Sequence, residues 1–277
     1  MAEDKLYPRI SLITCTFNSE KYLPECLDSV GGQNYQNIEQ IFVDNFSSDR
    51  TIEIIKAKCP LAKIIQKKTN IYEALNLGLA AASGEVVGII HSDDVFYDNL
   101  CLTRVAQAFA ADPDLDYWCG RMEIFDADLK KPFAILGAPP HRQKFREAIY
   151  SSSYYAHPTY YCRRRAINRV GLYDTKYKIA ADIDWLIRLE KLNLKWHFDP
   201  VPLLKFRSSA KSTTSRKYFS ALIEEFHVRI KQEGWSIFLF TIYGYHFSRR
   251  LLRYLLEKLR LNFLVNFFRK EIVKLSR

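Results

Sequence analysis

Four consecutive residues, His91-Ser92-Asp93-Asp94, hold the densest chemistry in this chain. They follow directly on the apolar run EVVGII (85–90), which reads as a buried strand. Adjacent carboxylates at a strand end repel each other unless a cation or hydrogen-bond donors compensate. A hard divalent ion such as Mg²⁺ or Mn²⁺, shared with substrate phosphates, is one compensator. The other reading is a helix start with an acidic first turn ahead of NLCLTRVAQAF. The tetrapeptide alone fits both.

Two more polar clusters follow strand-like runs. Thr14–Asn18 ends ISLIT (10–14), and Asp44–Ser48 ends EQIFVD (39–44). The elements that must position them alternate along the first half. A helix over EKYLPECLDSV follows strand one, with Asn18-Ser19 as its caps. Ser47-Ser48-Asp49 opens a helix over TIEIIKAK, AKIIQ (62–66) is a third strand, and NIYEALNLGLAAAS is a third helix. Strands separated by helices of about three turns imply right-handed crossovers and a parallel sheet, whose ligands bind beyond the carboxyl ends of the strands. All three clusters fall at that edge.

Further on, DYWCGRMEIFD reads as a strand and 132–160, with Pro139-Pro140, as mainly loop. Helices over 163–170 and 182–193 and a strand over LKWHFD (194–199) complete an α/β domain, expected to span 1–207. After RSSAKSTTSRK (207–217) a helical extension is expected over 208–277.

A chain of 277 residues, 48% hydrophobic and 26% charged, is long enough for such a core and is not a disordered composition. Six scattered cysteines without a C-x-x-C pair argue against a disulfide framework or structural zinc. The start, MAEDKLYPRISLI, is acidic where a secretory signal is basic, so a cytoplasmic location is expected. No G-x-G-x-x-G follows strand one and no G-x-x-x-x-G-K-[ST] occurs, which leaves a metal-held nucleoside diphosphate as the phosphate ligand for this sheet.

ISLITCTFNSEKYLPECLDSV, IFVDNFSSDRT and NIYEALNLGLAAASGEVVGIIHSDD, in this order and spacing, resemble family 2 glycosyltransferases, which have the GT-A fold. HPTYYCRRRAINRVGLYD (157–174) and AADIDWLIRL (180–189) continue the resemblance to about residue 207.

The resemblance implies an inverting transferase acting on a nucleotide-sugar donor, most often a UDP-sugar, with a carbohydrate acceptor. Thr14, Thr16 and Asn18, with Asp44 and Asn45, would hold base and ribose. Asn76 joins this donor-binding set. Asp44 is also readable as a turn cap. HSDD takes the place of the D-x-D motif, with Asp93 as the metal ligand and His91, Ser92 and Asp94 around the diphosphate. Asp182 stands at the position of the catalytic base, though a helix cap is its plainer reading; Asp184, two residues on, points elsewhere and reads as structural. His157 and Arg163–Arg165 are candidates for diphosphate or acceptor contact, or in the case of His157 a turn residue. The chain departs from the family pattern at His91, at Lys68, and in FRSSAKSTT (206–214), which lacks a histidine. Arg207 and Lys211 are the expected substitutes there.

The net charge of +10 is concentrated at the end of the chain. Residues 248–277 carry nine Lys/Arg against Glu257 and Glu271, a net +7. WSIFLFTIYGYHF (235–247) is too short to span a bilayer. With the Leu/Phe/Val repeat that follows, it reads as interfacial helices on anionic lipid at the inner membrane face, suited to a lipid-linked acceptor in cell-surface polysaccharide synthesis. Packing on the catalytic domain or on a second copy in a homo-oligomer is the alternative, while the continuous apolar face argues against nucleic acid. Two functional rivals stand: a sugar nucleotidyltransferase, and a non-catalytic nucleotide- or sugar-binding module.

Overall fold

The structure, a computed structural model, describes residues 7–137, 156–208 and 218–259. Its first half runs β1 (Ile10–Thr16), α1 (Leu23–Gly31), β2 (Ile38–Asp44), α2 (Thr51–Lys58), β3 (Lys63–Gln66), α3 (Ile71–Ala81) and β4 (Val86–Ile89). These strands lie in the order β3-β2-β1-β4 and are parallel throughout. Alternation along each strand sends side chains to both faces. Ile10 and Leu12 join a core with Cys26, Val30 and Phe109. Ile13, Ile41, Val87 and Ile89 join another with Leu75, Trp185 and Leu186.

The second half adds β5 (Val95–Phe96), α4 (Cys101–Ala111), β6 (Tyr117–Phe125), β7 (Pro132–Leu136), β8 (Tyr161–Arg163), α5 (Arg164–Val170), α6 (Ala181–Lys191) and β9 (Trp196–Arg207). The sheet continues β4-β8-β6-β9-β5, with β7 on β6. This half is mixed: β8 is antiparallel to both β4 and β6, whereas β6 and β9 are parallel. Gly88 makes the β4–β8 approach possible, since a Cβ there would meet the Tyr161 ring at 2.2 Å.

Two expectations change at element ends. Asn18 and Ser19 are not helix caps. Helix α1 starts at Leu23 with Pro24 in its first turn and no side-chain cap on Tyr22, a place where a missing N–H costs little. Strand β9 does not stop at Asp199. It passes Pro200 and Pro202 by register irregularities opposite Gly120–Met122 and runs on to Arg207. Prolines are tolerated where the ladder is already broken. That extra length delivers Arg207 to the acidic turn.

Contacts divide the chain into Met1–Val228 and Arg229–Arg277. Residues 209–217, just past the expected domain boundary at 207, lie outside the described residues. In the first turns of α7 (Tyr218–Glu233), Ala221, Leu222 and Val228 are buried. Glu224 accepts from the backbone N–H of Lys178 (2.9 Å), Ile179 (2.8 Å) and Ala180 (3.2 Å), fixing the approach to α6. The second unit contains α8 (Ile237–Lys258).

Candidate active site

The loops after β1 and β2 are stapled together at the carboxyl edge of the sheet. The backbone N–H of Asn18 donates to Ser47 Oγ (2.9 Å), and that of Ser48 donates to Asn18 Oδ1 (2.8 Å). Ser19 N–H donates to Thr51 Oγ1 (2.7 Å) and Glu20 N–H to Asp49 (3.0 Å). Asn18 and Ser19 therefore join loops instead of starting a helix.

Asp44 is fully buried and anchors the β1–β2–β3 ends. Its carboxylate accepts from Thr16 Oγ1 (2.8 Å), Ser47 N–H (2.8 Å), Ser47 Oγ (2.5 Å) and Gln66 Nε2 (3.5 Å). Four donors occupy the acceptor sites a carboxylate has. The turn-cap reading describes these contacts of Asp44, the Gln66 one being the longest. Thr14 and Thr16 are buried as well. Asn45 sits at the same edge, its Oδ1 accepting from Thr69 N–H (2.9 Å), which links the β3–α3 loop.

HSDD forms a turn closed by Asp94 N–H donating to the His91 carbonyl (3.1 Å), with Ser92 Oγ 3.0 Å from Ser19 Oγ. Arg207 grips this turn from β9. Its Nε donates to the Asp93 carbonyl (3.0 Å), its Nη2 to Glu25 (2.6 Å) and its Nη1 to the Ala127 carbonyl. Its plane lies 4.3 Å from the Tyr22 ring centre. Its backbone N–H donates to Asp94 Oδ1 (3.3 Å).

The two acids differ. Asp94 is fully buried, its Oδ2 has no partner among the described residues, and burial reinforced by the Asp93 charge pushes its carboxyl well up, toward the neutral acid. The Asp93 carboxylate is partly exposed and makes no hydrogen bond or ion pair among the described residues. A free carboxylate there fits a hard cation. No group of three or more metal-ligating side chains occurs among the described residues, so a cation would be held by one or two protein ligands plus phosphates. Burial lowers the pKa of His91 against the pull of Asp93, which makes it a neutral imidazole near pH 7.

Asp182 stands in the first turn of α6. Its Oδ1 accepts from Tyr72 Oη (3.1 Å) and from the Ile183 N–H (2.9 Å). Burial pushes its carboxyl up to about 6, against those two bonds. The single Tyr72 hydroxyl proton is shared between Asp182 and the Ile179 carbonyl, and the Tyr72 ring stacks on Tyr173 at 6.0 Å. Tyr173 Oη lies 2.9 Å from His157 Nε2. His157 is buried and held down to about 3, by burial first and by nearby His91 second. Three rings thus connect Asp182 to the acidic turn.

Other candidates go elsewhere. Asn76 spends both ends of its amide on Tyr173, donating to its carbonyl (3.0 Å) and accepting from its N–H (2.9 Å), so it fixes Tyr173 instead of a ligand. Arg163 pairs with Val86 in the β8–β4 ladder, at the amino end of β4. From there Arg163, Arg164 and Arg165 donate to Leu115, Gly84 and Asp116, away from the acidic turn. Asp184 is buried against Arg188 (2.9 Å), the structural place expected for it. Arg207, expected as a diphosphate clamp, is buried and donates from each of its three nitrogens to protein acceptors. Lys211 lies outside the described residues. Tyr72 and Glu25 were invisible as site residues, since a helical tyrosine and a surface glutamate carry no sequence signal.

This edge offers a weakly acidic carboxyl at Asp182, a carboxylate at Asp93 without a partner among the described residues, and a neutral imidazole at His91. A small pocket lined in part by His157, Tyr160 and Tyr173 measures about 20 Å³, room for no more than a water. The profile of Glycosyl transferase family 2 matches residues 11–172. The chain belongs to glycosyltransferase family 2. This glycosyltransferase is 29% identical over 186 residues to the "PGL/p-HBAD biosynthesis glycosyltransferase" of Mycobacterium bovis, covering 65% of this chain and 69% of that one. It is 34% identical over 111 residues to "Glycosyltransferase GlyG" of Streptococcus pneumoniae, 38% of this chain and 37% of that one. Similar solved structures include S. aureus TarS 1-349 in complex with UDP-GlcNAc, with a TM-score of 0.62 at 20% identity over 85% of this chain and 70% of that one. Another is the mannosyltransferase PcManGT from Pyrobaculum calidifontis in complex with GDP-Man and Mn2+, with a TM-score of 0.58 at 18% identity over 87% and 70%. The fold of the glycosyltransferase is the GT-A-like α/β fold expected from its sequence.

The surroundings of Asp182 generate a direct prediction. Tyr72 stabilises the charged carboxylate, so Tyr72→Phe should move the Asp182 titration from about 6 to higher pH. Carboxyl-carbon NMR of labelled protein measures it. An unchanged or lower midpoint would contradict the assignment.

Proposed function

We propose that this glycosyltransferase moves a sugar, with inversion, from a nucleoside-diphosphate donor to a saccharide acceptor, and that Asp182 is its base. The observation that carries this reading is a carboxyl group raised to about 6 at the carboxyl edge of the sheet and linked through Tyr72, Tyr173 and His157 to the acidic turn. A base titrating near the working pH is poised for proton transfer.

The strand order supports an orientation. The β1 and β2 loops take the nucleoside and the turn after β4 takes the diphosphate, two strand spacings or about 10 Å from β2. Asn18, Asn45, Ser92 and His91 line this path. Asp182 removes the proton of an acceptor hydroxyl as that oxygen bonds to the anomeric carbon. The bond from that carbon to the diphosphate oxygen breaks, and its electron pair leaves with the diphosphate. Tyr72 holds the carboxylate in place. Asp93 is the residue that would hold a divalent cation, Mn²⁺ or Mg²⁺, which when bound supplies charge neutralisation for the leaving diphosphate. The complexes of the structural neighbours with UDP-GlcNAc and with GDP-Man and Mn2+ support this donor class, and UDP-sugars are the first to test.

The acceptor is proposed to be lipid-linked, with the enzyme peripheral at the inner membrane face. No described helix is long and apolar enough to cross a membrane. Along α8 and just past it, Ile237, Phe240, Phe247, Leu251, Leu255 and Leu259 are exposed at helical spacing. The net +7 of residues 248–277 complements anionic headgroups.

With a panel of nucleotide-sugars and Mn²⁺, Asp182→Asn should lower kcat at least about a hundredfold, and Asp93→Ala should remove the stimulation by metal. Turnover intact in both variants would sink the mechanism. Flotation with vesicles containing phosphatidylglycerol should recover the full chain, and Leu251→Glu with Leu255→Glu should release it. Equal recovery of both proteins would contradict membrane docking.

A further inference from the structure

Phe46 occupies a costly place. Its φ is 54°, in the left-handed region, and its side chain is 59% exposed. The other non-glycine residues with positive φ have local reasons for it. Asn18 and Asn193 are asparagines, the residue type that tolerates this region best. Leu129 sits in the β6–β7 turn, where its N–H donates to the Asp126 carbonyl (3.1 Å).

Nothing in the turn around Phe46 requires a phenyl ring. Asp44 fixes the turn through Ser47 N–H and Oγ, and Asn45 is held by its N–H to the Thr16 carbonyl (3.0 Å) and its Oδ1 to Thr69. Glycine would adopt the same backbone without strain. Among the described residues the ring makes no aromatic or cation–π contact. Among the described residues neither the backbone strain nor the exposed ring is compensated, and such strain gathers where ligands bind.

We propose that Phe46 is an aromatic wall for the nucleobase of the donor and a determinant of donor affinity. This rests on the nucleotide-donor reading above. Phe46 directly follows Asn45 at the end of β2, on the far side of β1 from the acidic turn after β4. That is the nucleoside end of the path, whereas the acceptor must approach Asp182. The loop is rigid enough to present a ring, because Asn18 pins both Ser47 and Ser48. Every base has a π face, so stacking supplies affinity whichever base the neighbouring amides select.

Calorimetric titration of UDP with Mn²⁺, and of pyrophosphate with Mn²⁺ as the base-free control, tests this on the full chain. Phe46→Gly should weaken UDP about tenfold and leave pyrophosphate unchanged, while Phe46→Tyr should restore UDP binding. The same Phe46→Gly protein should melt at the wild-type temperature or up to ~4 °C above it, since strain is relieved. Unchanged UDP affinity, equal weakening of pyrophosphate, or a rise only in acceptor KM would overturn the assignment. A wild-type protein that binds pyrophosphate but no nucleoside diphosphate would overturn the donor reading, and this proposal with it.

Discussion

Burying a guanidinium is tolerable only when its N–H groups find acceptors, and Arg207 obliges the surrounding structure to provide them. Asp93 and Ala127 give carbonyls, Glu25 gives a carboxylate, and Tyr22 gives a ring face. These partners come from the acidic turn, the β6–β7 connection and helix α1. The end of β9 is thereby fixed to the carboxyl end of β4, and the two halves of the sheet share one edge. The same arginine sets its charge beside Asp93 and Asp94, offsetting part of their repulsion while leaving the Asp93 carboxylate unengaged. Glu25 is itself half exposed, so solvent screens that ion pair and the buried carbonyl acceptors matter more.

The first half of the fold was legible because its periodicities are clean. ISLIT, EQIFVD and EVVGII each end in a polar cluster, and parallel register carries those clusters to a common edge. The second half was less so. Strand β5 is two residues long and β8 three, too short for an alternation to register. The prolines at 200 and 202 hid the continuation of β9, because a bulge depends on its partner strand and not on local sequence.

At the site, residue type gave the candidates but not their commitments. Asp44, Asn76 and Arg207 each have the chemistry to meet a ligand, and in the fold each is consumed by protein partners. Among the described residues Asp93 keeps its carboxylate without a partner, and Asp182 keeps a protonatable one in a poorly solvated place. The difference is set by contacts between residues far apart in the chain, 114 positions for Asp93 with Arg207 and 182 for Glu25 with Arg207, which no local pattern encodes. Tyr72 reaches Asp182 across 110 positions in the same way.

The central claim is that Asp182, kept weakly acidic by burial, is the group whose ionisation switches the transferase on. It must be deprotonated to accept the hydroxyl proton, so activity should be lost as pH falls through the raised pKa. The pH profile of kcat/KM for donor turnover tests this most directly. The account predicts an acidic limb with its midpoint near 6, absent from the residual activity of Asp182→Asn. A profile flat down to pH 4, or an Asp182→Asn enzyme that keeps the same limb, would contradict it.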